Sequence, residues 1–209
     1  MRDTPYREAV GALMWIAAMT QPDLSFVAHN VAEFGDNPGP ALWKAVQKAL
    51  QYLKRTVDLG VTYGGGTAGM KLSASFDADL VTCQDTPCSV SGAAAMLGGG
   101  AINWLSRAQR VAAAATSESE YVALAEVLNE LRFLRQVKAF MMPLMDHEIN
   151  TYEDNEGAIK MANNRLSRRR TRHIDIKHHI VRDAVYGKIV WVEYVKSAEQ
   201  HADALTKAL

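Results

Sequence analysis

Four acidic side chains, Asp77, Glu120, Asp154 and Asp203, occupy positions from which they can converge on one point. Hydrolysis of a phosphodiester by a two-metal route needs such convergence, because several carboxylates must hold ions about 3.5–4 Å apart. Magnesium prefers oxygen ligands, so carboxylates are the side chains this chemistry calls for. Each of the four also has a plainer use. Asp77 and Asp79 read as an Asp-x-Asp turn. Ser117 and Glu120 have the spacing of a helix capping box. Asp154 is placed to cap a helix, although Asn155 is an equally good candidate. Asp203 and Lys207 stand four apart, the spacing of an exposed helical ion pair. Taken singly, none of the four decides the chemistry.

The elements that must position them can be read from periodicity. Lys71 to Asp77 alternates, with Leu72, Ala74 and Phe76 on one side, and Asp77 is expected to close that strand. Ser89 to Leu97 and Ala101 to Ser106 read as two further strands joined by Gly98-Gly99-Gly100, a three-strand antiparallel meander. A long helix is expected from about Glu118 to Ala139. Glu120 lies there on one row with Leu124, Val127, Leu131 and Leu134, whereas Glu118 shares a more polar face with Val122, Glu126 and Asn129. Ile149 to Glu153 reads as a strand, Glu156 to Ala162 as a short helix and Asp175 to Tyr186 as a longer one. Lys188 to Val195 reads as a fifth strand and the chain from Ala198 as a closing helix. Strands and helices in this order predict an α/β fold. Ahead of it, Val10, Leu13, Met14 and Ala17 recur at helical spacing. Pro22 opens a second helix, and Trp43, Val46, Leu50 and Leu53 mark a third. Gly60 to Tyr63 reads as a short strand and Gly64-Gly65-Gly66 as a linker, which predicts a helical unit over 1–65 and the α/β domain over 66–209.

Charge adds a candidate substrate-binding segment. With 23 Lys+Arg against 23 Asp+Glu the chain is neutral, so attraction to a polyanion must come from local clustering. Arg165, Arg168, Arg169, Arg170, Arg172, Lys177 and Arg182 form that cluster. It reads either as a phosphate-contacting segment or as a solvated helix face. His173, His178 and His179 with Asp175 do not have the spacing of a familiar structural zinc site.

Composition, at 48% hydrophobic and 22% charged residues, is that of a globular chain. Cys83 and Cys88 are too few for a disulfide framework, which points to a reduced, intracellular setting. No apolar run approaches the roughly 20 residues of a membrane span. The start reads like an initiator within a larger gene rather than a signal peptide.

Several phrases together resemble the ribonuclease H of copia-type retrotransposons, and they run in order along nearly the whole chain. Phe76-Asp77-Ala78-Asp79, Ser89-Val90-Ser91-Gly92 and Gly98 to Trp104 are similar to that family's opening strands. Glu118 to Leu124 resembles its second acidic motif, Asp154-Asn155-Glu156-Gly157-Ala158-Ile159 its third, and Ala202-Asp203-Ala204-Leu205-Thr206-Lys207 its closing motif. Arg172-His173-Ile174-Asp175-Ile176-Lys177 is similar to its basic helix. Tyr6 to Gly11, Gln21 to Leu24 and Tyr52 to Thr56 resemble the segment that joins reverse transcriptase to ribonuclease H.

The resemblance implies an RNase H-like mixed sheet flanked by helices, preceded by a small helical segment left from the reverse transcriptase or its connection. It implies a catalytic, metal-holding quartet of Asp77, Glu120, Asp154 and Asp203 with two Mg2+ ions, for which Mn2+ could substitute. Arg168, Arg169, Arg170, Arg172 and Lys177 would contact nucleic acid. The implied partners are an RNA–DNA hybrid and the reverse transcriptase portion of the parent polyprotein, with no membrane, in a cytoplasmic particle or the nucleus. The sequence departs from the family at Leu80 and Ala93, where aromatic residues are common. The loop Val195-Lys196-Ser197-Ala198 lacks the mobile histidine of many cellular ribonucleases H, and no Tyr-x-Asp-Asp of a polymerase palm is present. The alternative reading is a decayed or repurposed fragment that binds nucleic acid without cutting it.

Overall fold

The computed structural model describes residues 4–64, 69–79, 89–110, 113, 115–163 and 172–207; of 172–176 and 178 only the backbone is described. Three helices come first: α1 (Tyr6–Met19), α2 (Ser25–Glu33) after a 3-10 turn over Pro22–Leu24, and α3 (Pro40–Arg55). Proline sits at the start of both the 3-10 turn and α3, where a missing N–H costs nothing. The apolar residues at helical spacing meet as expected: Tyr6, Val10, Leu13, Ala17, Leu24, Ala28, Val31, Val46 and Ala49 form one buried cluster. Tyr6 Oη donates to Val31 O at 2.6 Å, tying α1 to α2.

The second cluster surrounds a five-stranded sheet of β1 (Ser73–Asp79), β2 (Val90–Leu97), β3 (Gly100–Ala108), β4 (Ile149–Glu153) and β5 (Val190–Tyr194), in the order β3-β2-β1-β4-β5. β1 to β3 form the antiparallel meander, while β4 lies parallel to β1 and β5 parallel to β4. The meander turns tightly at Gly98 and Gly99, whose φ values of 60° and 86° suit a primed hairpin turn. The helices are α4 (Thr116–Met141), α5 (Glu156–Asn163) and α6 (Arg172–Tyr186). Ala74, Phe76 and Ala78 of β1 pack with Tyr121, Leu124, Leu128 and Leu131 of α4. Strand alternation turns Ser75 and Asp77 to the other face. The α/β architecture with a mixed sheet, flanking helices and a leading helical segment is the expected one.

Three local expectations are corrected. Residues 60–63 form no strand; instead Gly64 N donates to Gly98 O at 2.7 Å and Tyr63 Oη to Ala101 O at 2.8 Å, clamping the segment to the hairpin. As far as residue 207, the described chain from Ser197 is not an α-helix but carries two 3-10 turns, Ser197–Glu199 and His201–Leu205. Asp77 lies inside β1 rather than at its end, since pairing with β2 continues to Asp79 opposite Val90. Among the described residues no helix is long and apolar enough to cross a membrane.

Candidate active site

The carboxylates are brought together by devices that can be followed one at a time. Asp77 is carried by β1, opposite Gly92 of β2. A Cβ added at Gly92 would lie 2.6 Å from Thr206 Cγ2 and 2.9 Å from Leu205 Cβ, so only glycine admits the second 3-10 turn against the sheet. Seated there, Thr206 donates its hydroxyl to Asp77 Oδ2. Gln200 anchors the same segment: its Nε2 donates to Phe76 O at 3.0 Å and to Tyr152 O at 3.4 Å, joining β1 and β4 near their site-bearing ends.

Glu120 stands in the first turns of α4. The capping-box use of Ser117 and Glu120 is not realised, for the helix is preceded by Ala115 with no side-chain cap. Its start is fixed by Gln109, a buried side chain that donates to Ser119 O and to Ser91 Oγ, both at 2.9 Å. Asn155 caps α5, its Oδ1 accepting from Gly157 N at 2.8 Å and Ala158 N at 3.2 Å. The cap is therefore Asn155, which leaves Asp154 free of that duty. Asp77, Glu120 and Asp154 each offer an oxygen, and these oxygens lie within 4.8 Å of one another.

Asp203 stands outside that closest group but is tied to it through Lys207. The Lys207 ammonium is 2.7 Å from Asp203 Oδ1 and 3.8 Å from Asp77 Oδ2. The ion pair expected as the plainer use of Asp203 is thus real, and it points into the carboxylate centre. Asp79, the other half of the Asp-x-Asp phrase, is partly exposed at the end of β1.

A fifth acid, Glu153, joins the group without having been singled out by its sequence context. It is fully buried beside Asp154; its Oε1 accepts from Asn155 N at 2.8 Å, while its Oε2 has no partner among the described residues. The periodicity signal is present, because Ile149, Thr151 and Glu153 alternate inward along β4. Its nearness to Glu120 exists only in three dimensions.

Electrostatics follow from this crowding. Burial, then the charges of Glu153 and Asp77, push the Glu120 pKa up to about 10 against a hydrogen bond from the Ala78 backbone. Burial raises Glu153 to about 8, with Asp154 and Asp77 adding to it. Burial also raises Asp77, although the Thr206 hydroxyl and the Lys207 charge oppose the shift. Desolvation works against the Lys207 ammonium, but Asp203 and Asp77 outweigh it and hold its pKa above the usual lysine value. Carboxylates that each prefer neutrality when crowded are ones a divalent cation would ionise together. Glu120 Oε2 is buried and unpartnered among the described residues, and an unfilled oxygen in an all-oxygen set fits a hard cation.

Of the basic residues, Arg168, Arg169 and Arg170 lie outside the described residues, and Arg172 opens α6 with its side chain not described. Lys177 is engaged with Glu126 on α4, at 3.1 Å, and Arg107 approaches the same carboxylate at 3.8 Å.

No protein-family model matches the chain. Over 211 residues it is 35% identical to the retrovirus-related Pol polyprotein from transposon TNT 1-94 of Nicotiana tabacum, which covers 100% of this chain and 16% of that protein. Over 206 residues it is 31% identical to the retrovirus-related Pol polyprotein from transposon RE2 of Arabidopsis thaliana, covering 99% of this chain and 14% of that one. The chain thus spans about one-sixth of the length of the first of these relatives and one-seventh of the second. Among solved structures, LC11-RNase H1 in complex with an RNA/DNA hybrid is similar at a TM-score of 0.48 and 14% identity, over 65% of this chain and 93% of that chain.

Proposed function

The chain belongs to the retrovirus-related Pol polyproteins of copia-type transposons, and from that premise we propose that it is their ribonuclease H, an endonuclease that cuts the RNA strand of an RNA–DNA hybrid. The observation that carries this reading is the convergence of Asp77, Glu120 and Asp154 within 4.8 Å beside the central strand of a mixed sheet. Asp203 is the fourth member. These four would hold two divalent ions, Mg2+ with Mn2+ as a substitute. When bound, such ions activate a water at neutral pH and stabilise the leaving 3′ oxygen.

The protein's own part is positional. Asp77 and Glu120 supply buried oxygens from the sheet and α4, and Asp154, half-buried just past the end of β4, supplies another. Thr206 and Gln200 fix the segment that carries Asp203. Arg168, Arg169, Arg170, Arg172 and Lys177 would hold hybrid phosphates so that the scissile bond lies over the carboxylates. Lys177 would have to exchange Glu126 for a phosphate. The 2′-hydroxyls distinguish the strand to be cut. Residues 1–65 would be a remnant of the reverse transcriptase connection and 66–209 the nuclease, working beside the polymerase of the parent polyprotein.

The test is cleavage of a hybrid labelled on its RNA strand, with and without Mg2+, by wild type and Asp154→Asn. Mg2+-dependent cutting by wild type is expected. The variant should lose roughly 10²–10³ in rate, the scale for removing one electrostatic stabiliser, and keep hybrid binding. Binding without cutting by wild type would point instead to a repurposed nucleic-acid-binding fragment, and near-normal cutting by Asp154→Asn would sink the quartet.

A further inference from the structure

The carboxylate centre contains a cation of its own. Lys207 Nζ lies 2.7 Å from Asp203 Oδ1 and 3.8 Å from Asp77 Oδ2. An exposed pair four residues apart is ordinarily worth about 0.2–1 kcal/mol and has no further role. This one differs in three respects. The segment is a 3-10 turn running into Thr206 and Lys207 rather than an α-helix. The second carboxylate Lys207 meets, Asp77, has a side chain only 5% exposed. The ammonium also shares Asp77 Oδ2 with the Thr206 hydroxyl. The Lys207 side chain itself is 50% exposed, so its charge sits on the solvent side of Asp77.

Resting on the two-ion reading above, we propose that Lys207 is a tethered cation that fills part of the ion site in the resting protein and is displaced from Asp203 and Asp77 when a divalent ion enters. Two like charges cannot share the same carboxylate oxygens at van der Waals distance without strong repulsion. The lysine therefore has to leave, and its stem, anchored at one end only, is able to swing toward solvent. The arrangement keeps the crowded acids neutralised without metal, and it sets a threshold on metal affinity.

The test uses the full chain and Mn2+ as the probe. In calorimetric titrations Lys207→Met should bind Mn2+ about tenfold more tightly than wild type, whereas Lys207→Arg, which keeps the charge, should stay near wild type. Metal-free Lys207→Met should melt below wild type, and the gap should close at saturating Mn2+. An independent readout needs no variant: an amine-reactive reagent, read by mass spectrometry, should label Lys207 of wild type faster with Mn2+ than without. Unchanged or weaker Mn2+ binding by Lys207→Met overturns the inference, as does a labelling rate indifferent to Mn2+. Failure of both wild type and Lys207→Met to bind Mn2+ would overturn the two-ion reading and this inference with it. Binding by both at equal affinity removes only the inference.

Discussion

Glu153 and Glu120 show what burial does to a carboxylate whose neighbours are also acids. Their pKa values in the folded chain, about 8 and about 10, lie above the ordinary 4.5, so at neutral pH the folded state binds more protons than the unfolded one. Their contribution to stability is therefore greatest below about pH 4.5 and declines as pH rises toward those raised values. The slope is about 1.4 kcal/mol per pH unit for each proton in excess, and at this chain length each kcal/mol moves the melting point by on the order of 2–4 °C. Metal-free protein should accordingly melt lower at pH 8 than at pH 5, and saturating Mg2+ or Mn2+ should flatten that fall; a rise between those pH values would contradict it. Glu153→Gln keeps an acceptor for Asn155 N and removes one of the protons, so its melting point should depend less on pH and exceed wild type at pH 8. Because Glu153 lies outside the proposed quartet, hybrid cleavage by that variant should stay within about an order of magnitude of wild type. Asp77, Glu120 and Asp154, which the structure brings together, are each legible in the sequence from a phrase of recognisable spacing. Glu153 is not, since a buried acid at the end of an inward-facing alternation looks like the polar edge of a strand.

Among the elements, the closing segment governs the geometry most. Gly92→Ala would set a Cβ 2.6 Å from Thr206 Cγ2 and 3.0 Å from Ala202 O, a clash with side chain and backbone together. We expect a loss of about 1–3 kcal/mol from overpacking, together with weaker Mn2+ binding, since Asp203 rides on the displaced turn. Thermal melting and titration on one sample measure both, and a stable variant with normal metal affinity would show that the turn can shift without consequence. Helix and strand positions are largely legible: α4 extends only two residues past each end of the range read from periodicity, and β4 matches it. Local spacing does not distinguish the closing turns from the α-helix expected there. The Gln200 side chain caps the second turn through Ala202 N while its Nε2 donates to Phe76 O and Tyr152 O, a tertiary demand that local spacing does not announce. The expected strand at 60–63 fails for a related reason, since Gly100 accepts the Tyr63 ring against the hairpin, where a Cβ would lie 2.6 Å from Tyr63 Cδ1.

At the scale of the molecule, the helical segment and the sheet are joined across polar seams. Trp104 Nε1 donates to Ala17 O at 2.6 Å, and Ala108 N to His29 Nε2 at 3.0 Å. A fragment of residues 66–209 would leave both donors without these acceptors and uncover part of β3. It should melt lower than the full chain and bind more of a hydrophobic dye; equal stability would mean that the seams contribute nothing. Substrate engagement is tested at the same scale. Changing Arg168, Arg169, Arg170 and Arg172 together to Ala should make the slope of log K against log [salt] shallower by about 0.7–0.9 for each phosphate no longer neutralised. An unchanged slope would make the segment a solvated face. The sheet order carries a further consequence. Asp77 belongs to the central strand, yet its hydroxyl partner is Thr206, 129 residues later, and the parallel β1–β4 pairing encloses α4 between them. On a ribosome, a nascent chain can finish the meander and α4 while the centre still lacks Asp203, Thr206 and Lys207. The proposed cutting activity should therefore appear only after Asp203 and Thr206 have cleared the exit tunnel, so synthesis interrupted before them should leave the template RNA intact.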